Sequence, residues 1–116
     1  MKTALYNSTT YQEPVIINIG QNAQDNWDIL DTTKEENEYF WWFHLKTLPS
    51  SHIIVKAETL TSDLVIHAAN LCKQSTRYRN HNKINVSYTQ CKNVTKDGPV
   101  GSVSFKSNKK VKNIIV

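Results

Sequence analysis

Trp42, His44, Ser51 and His52 fall within eleven residues, in the stretch WWFHLKTLPSSH. Two imidazoles beside a hydroxyl and an indole admit three chemistries. They could be two ligands of a metal, a base for a nucleophile, or a surface on which a nucleobase stacks. Zinc needs two further donors. The available thiols, Cys72 and Cys91, show neither CxxC nor HxxxH spacing, so no structural metal and no cofactor is expected. Pairing of Cys91 or Ser51 with a histidine has no spacing to support it. Hydrogen-bonded structural imidazoles are the favoured reading. Trp42 remains open between a stacking platform and plain core.

The elements that position these residues follow from periodicity. Tyr39 to Lys46 is too aromatic for anything but a strand, Thr47-Leu-Pro-Ser50 breaks it, and Ser51 to Ala57 is a second strand. Placing His44 opposite His52 in the resulting hairpin puts Trp41, Phe43, Leu45, Ile53, Val55 and Ala57 on one face. Trp42, His44, His52, Ile54 and Lys56 then share the other face, and a shift of one residue would mix both sets. One tryptophan is thus expected in the core and the other beside two histidines.

Elsewhere, Pro14 to Ile19 reads as a strand before Gly20, with an earlier edge strand expected over 3–11. Ala23, Trp27 and Leu30 predict a short helix over 22–31, with 34–37 (KEEN) as a loop. Leu64, Val65, Ala68, Leu71 and Cys72 form the stripe of a main amphipathic helix over 61–76, capped by Thr61 or Ser62. Ile84 to Thr89 alternates as a strand, and 92–98 reads as a loop. Val100–Phe105 and Val111–Val116 are expected as a hairpin. The fold class is α+β: a single mixed or antiparallel sheet with hairpins, one main amphipathic helix and one short helix, in one domain.

Length, charge and hydropathy narrow the function. The 116 residues suit one domain. No apolar run reaches a membrane span, and the N-terminus lacks a signal-peptide apolar region, so a cytoplasmic protein without membrane contact is expected. The net charge of +4 conceals an asymmetry. Residues 1–72 carry four Lys and nine acids, whereas residues 73–116 carry ten Lys or Arg and only Asp97. Such a basic half invites a polyanion. Arg77, Arg79, Lys83, Lys92 and Lys96 lie in loops around one strand and are expected to converge on one patch.

In combination, Gly20 to Asn26 (GQNAQDN), Trp42-Phe43-His44, Ser51-His52-Ile-Ile, NVSYT at 85–89 with Lys92-Asn-Val94, and Val100-Gly101-Ser-Val103 resemble the NFACT-R domain. That domain is the C-terminal module of the NEMF/RqcH proteins of ribosome-associated quality control, and a small coiled-coil-tailed eukaryotic protein carries it too. The likeness spans about 12–116. It implies a non-catalytic RNA-binding module with tRNA or rRNA as partner and a possible association with the ribosome. It assigns Asn26, Trp42, His44, Ser51 and His52 to the site beside the basic residues. Gln21 stands where the family usually has a base, which implies one phosphate contact fewer, and Trp41 replaces a usual Asp. Peptide tailing and tail-dependent roles are not expected. The rival readings are a protein-interaction module that docks on a translation partner, and an RNA-directed enzyme using His44 and His52. Oligomeric state is left open.

Overall fold

A computed structural model describes residues 1–8 and 10–116. In chain order its elements are strands β1 (Lys2–Tyr6) and β2 (Val15–Ile19), helix α1 (Ala23–Asn37), strands β3 (Trp41–Leu45) and β4 (Ile53–Val55), and helix α2 (Ser62–Gln74). Strands β5 (Asn85–Gln90), β6 (Val94–Lys96), β7 (Val103–Phe105) and β8 (Lys112–Ile115) follow, with short 3₁₀ turns at Cys91–Asn93 and Asn108–Lys110. A six-stranded antiparallel sheet runs β1-β2-β4-β3-β5-β8, and β6 and β7 form a second, two-stranded sheet. The α+β class is as read, and the small sheet is an addition to it.

The β3–β4 hairpin takes the expected register. Trp41 faces Val55, Trp42 faces Ile54 and Phe43 faces Ile53, which sets His44 opposite His52 one step further on. The resulting faces build two cores. Phe43, Leu45, Ile53 and Val55 pack with Ile17, Val86 and the α2 stripe of Leu64, Val65, Ala68 and Cys72. On the other face Trp42 and Ile54 pack with Ile29 and Leu30 of α1, Cys91, and Val94 of β6. The part of the second face that carries Trp42 and Ile54 is therefore covered by α1 and the small sheet. Trp41, expected in the core, lies at its margin, half-buried, and its indole donates to the Glu58 carbonyl (2.8 Å).

Both helix starts are capped by side chains. Thr61 accepts from the Leu64 N–H (3.4 Å), and Asn22 accepts from the Asp25 N–H (2.8 Å) while Asp25 accepts in return from Gln21 N–H (2.8 Å).

Three expectations are corrected. The short helix runs on to Asn37, so 34–37 is helical: glutamates favour helix, and Lys34 Nζ in the last turn donates to the Val94 carbonyl (2.8 Å). Residues 94–96 form β6 instead of a loop. The strands at 103–105 and 112–115 are not a hairpin, because β7 pairs with β6 and β8 with β5. Of the edge strand expected over 3–11, the pairing covers Lys2–Tyr6, and Thr9 lies outside the described residues.

Gly20 marks the closest backbone approach. A Cβ there would lie 1.8 Å from Asn26 Oδ1, an atom already bonded to the His52 N–H (3.1 Å). Gly20→Ala is expected to destabilise the fold by about 1–3 kcal/mol, as overpacked sites do. Urea unfolding would measure this, and wild-type stability would contradict the packing described.

Candidate nucleic-acid interface

The α1 face of the sheet is covered over Trp42 of β3 and Ile54 of β4 and opens beside them, over Ser87 of β5 and Asn113 of β8. The opening is a cleft of about 1290 Å³. Its floor is a polar row set by register: His52 opposite His44, His44 opposite Ser87, and Ser87 opposite Asn113. The Ser87 hydroxyl donates to Asn113 Oδ1 (2.9 Å). One wall is the start of α1 with the Gly101 turn. The β3–β4 loop and the residues after α2 close one end, and the segment leading into β8 closes the other. Among the described residues, Lys46 and Arg77 are the only charged ones lining the cleft, and no Asp or Glu does.

The inner edge rests on buried hydrogen bonds. Trp42 and His52 are each 1% exposed, and Trp42 Nε1 donates to His52 Nδ1 at 3.1 Å. His52 can accept only as neutral imidazole with its proton on Nε2. Burial, followed by the proximity of His44, pushes its pKa down to about 3. Its main chain is tied on both sides, N–H to Asn26 Oδ1 and carbonyl to the Gly20 N–H (3.0 Å). The rings of His44 and His52 meet edge to face with centroids 5.2 Å apart, and His44 lies parallel to Trp42 at 5.6 Å. His44 Nδ1 sits 2.6 Å from the Leu45 carbonyl, which can only accept, so that nitrogen carries the proton. Burial lowers the His44 pKa also. Gly101, at φ 91°, closes on α1 so tightly that a Cβ would lie 3.0 Å from that of Ala23.

Of the residues proposed from sequence, Asn26, Trp42, His44, Ser51, His52 and Arg77 meet at this cleft. The open alternative for Trp42 resolves to core, since neither ring face is free to stack. The basic residues do not converge. Arg77, Arg79 and Lys83 precede β5, and Lys92 follows it, across six residues or roughly 20 Å of strand. Lys92 lies over the Tyr39 ring (4.6 Å), and Lys96 pairs with Asp31 of α1 (2.8 Å), over the Trp27 ring. The reason is topological: β6 carries Lys96 away to the small sheet. Both cysteines are buried thiols whose pKa burial raises, Cys91 to about 12, so neither offers a thiolate. Among the described residues, no three His, Cys, Asp or Glu side chains gather in metal-binding range. Sequence reasoning missed Lys46, Ser87 and Asn113. The alternation of β5 placed Ser87 on the histidine face, and that signal was available; Asn113 lay hidden in a misassigned hairpin.

Comparison with known proteins adds three findings. The family described as NFACT protein RNA binding domain matches residues 2–107. Coiled-coil domain-containing protein 25 is 30% identical in Mus musculus and 29% in Bos taurus, over 95% of this chain and 54% of each relative. The chain thus spans about half the length of these curated relatives. The structure of the C-terminal of the fibronectin/fibrinogen-binding protein from Streptococcus suis superposes with a TM-score of 0.81. It covers all of this chain and 45% of that one at 24% identity, a likeness of fold.

Two outcomes follow for the buried pair. Trp42→Ala should cost roughly 3–5 kcal/mol of stability, read by denaturation, as large-to-small core changes do. His52 is neutral in the fold and titrates near 6.5 when unfolded, so the unfolded chain binds the extra proton. Stability is therefore full above about pH 6.5 and declines as pH falls toward about 3. The denaturation midpoint followed from pH 7.5 to 4.5 should fall, and should fall less steeply in His52→Gln.

Proposed function

The chain belongs to the NFACT RNA-binding domain family, and from that premise we propose that it acts as a single, non-catalytic domain that binds tRNA or ribosomal RNA in the cleft over β5 and β8. The observation that carries this reading is the lining of the cleft: two cations, no acid, and a floor of imidazole, hydroxyl and amide groups. A polyanion entering it meets no like charge, and the floor offers hydrogen bonds to base edges and ribose hydroxyls. With Trp42 sealed, phosphate contact and polar readout replace stacking as the source of affinity.

The non-catalytic part of the reading is supported by how the histidines are used. The Nδ1 of His52 is committed to Trp42 and that of His44 to a carbonyl. Among the described residues, neither ring is hydrogen-bonded to a hydroxyl or thiol that it could activate. The one-domain reading is supported by the two cores, which share the β3–β4 hairpin as a common wall. A cytoplasmic place beside the ribosome fits these ligands, and no helix among the described residues is long and apolar enough to cross a membrane.

The test is the salt dependence of binding to a tRNA-sized RNA. Phosphate contacts at Lys46 and Arg77 together contribute about 1.4 to 1.8 to the log–log slope, since each contributes about 0.7 to 0.9. Lys46→Glu with Arg77→Glu should weaken binding and flatten that slope. Binding that ignores salt, or binding only to a protein of the ribosome, would replace this reading with protein docking.

A further inference from the structure

The segment from Lys106 to Lys110 carries three lysines, and no acid follows Asp97 anywhere in the chain. Such a run is usually a solvated, mobile loop. Here it is fastened. Asn93, 5% exposed, holds it with both ends of its amide: Nδ2 donates to the Ser107 carbonyl (2.9 Å) and also to the Thr89 hydroxyl (3.1 Å), and Oδ1 accepts from the Ser107 N–H (2.8 Å). The Asn93 carbonyl accepts from Lys106 N–H (3.0 Å), and the buried Thr89 hydroxyl donates to the Lys110 carbonyl (3.0 Å). Five residues are thus held at both ends as a strap, and Asn108 within it lines the cleft, at the end away from Lys46 and Arg77.

The charge on this strap is uncompensated. Lys106, Lys109 and Lys110 are exposed and form no ion pair among the described residues, whereas Lys56 and Lys96 elsewhere are paired with Glu36 and Asp31. Holding three lysines in a fixed loop without counter-charge carries a repulsive cost that a bound polyanion relieves. Fixing them beforehand also removes the ordering entropy that flexible lysines lose on binding. Lys112 does not join them, since it turns to the other face over the Trp41 ring (5.5 Å).

We propose that this strap is a second phosphate-binding edge of the cleft, so that an RNA backbone reaches from Lys46 and Arg77 across the His44–Ser87–Asn113 floor to Lys109 and Lys110, with Asn93 as the positioning residue. The proposal rests on the cleft being the RNA site. It makes the ligand a strand that spans the cleft, in contact with both ends at once.

The experiment compares Lys109→Gln/Lys110→Gln with Lys56→Gln/Lys96→Gln, which changes net charge equally but lies outside the cleft. Binding of a tRNA-sized RNA is titrated across salt for each. The strap pair should lose affinity and flatten the log–log slope by about 1.4 to 1.8, as expected for two lost contacts, while the control pair keeps the wild-type slope. In Asn93→Ala, hydrogen exchange at the Ser107 amide should quicken while that of Phe43 and Val86 holds, and the slope should flatten similarly. Should that variant fail to fold, the lysine pair still decides. Equal slopes for strap and control overturn the strap and leave the cleft reading standing. Wild-type protein without salt-dependent RNA binding overturns both.

Discussion

An indole N–H sealed from water must find an acceptor inside the protein, and Trp42 finds one in the Nδ1 lone pair of His52. That lone pair exists only while His52 is neutral, so one hydrogen bond fixes a protonation state as well as a distance. The main chain of His52 is itself held by Asn26 from α1 and by Gly20 at the end of β2. Three elements, β3, α1 and the end of β2, therefore converge on this one residue. Its neighbour His44 is placed by the same register, and the mouth of the cleft by both. Removing one partner would leave a buried polar group unsatisfied, at a cost of about 1–3 kcal/mol. This dependence accounts for Gly20, where no side chain fits, and for Asn26, whose amide oxygen no apolar residue replaces.

Electrostatics divides the surface along the same lines. The acids of the N-terminal half are concentrated on α1, where they engage the cations that come near: Asp25 the N-terminal ammonium, Asp31 Lys96, and Glu36 Lys56. The cleft lies on the side those acids do not line. Outside it Lys56 and Lys96 are ion-paired, whereas Lys46 and Arg77 at the cleft form no ion pair among the described residues. The basic half of the chain is thus a surplus delivered to particular places by β5, β8 and the turns around them.

Much of this was legible in the sequence. The period of two in residues 39–57 specified the β3–β4 register, because only that register puts Ile53 and Val55 on the face of Phe43 and Leu45, and His52 on the face of Trp42 and His44. The α2 stripe was equally plain. What covers the second face was not. Its cover is drawn from a few separated apolar residues, Ile29, Leu30, Val94 and Phe105, on elements whose periodicity is weak. Glutamates at 35–36 read as loop because they are polar, though they also favour helix. Two β-branched runs near the C-terminus read as a hairpin because they are adjacent, and that error concealed both Asn113 and the fastened strap. Long-range pairing of short strands leaves little local signal, and the convergence of lysines depends wholly on such pairing. The family resemblance supplied the kind of ligand; the cleft is the place proposed for it.

The most direct measurement is an NMR titration of the labelled protein with a tRNA-sized RNA at low salt, following backbone amides. Shifts are expected to concentrate at His44 to Ser51, Arg77, Gly101 and Asn108 to Asn113, and to spare the exposed Leu5 and Ile16 of β1 and β2 and the acidic end of α1. Shifts confined to those spared surfaces, with the cleft unchanged at saturation, would contradict it.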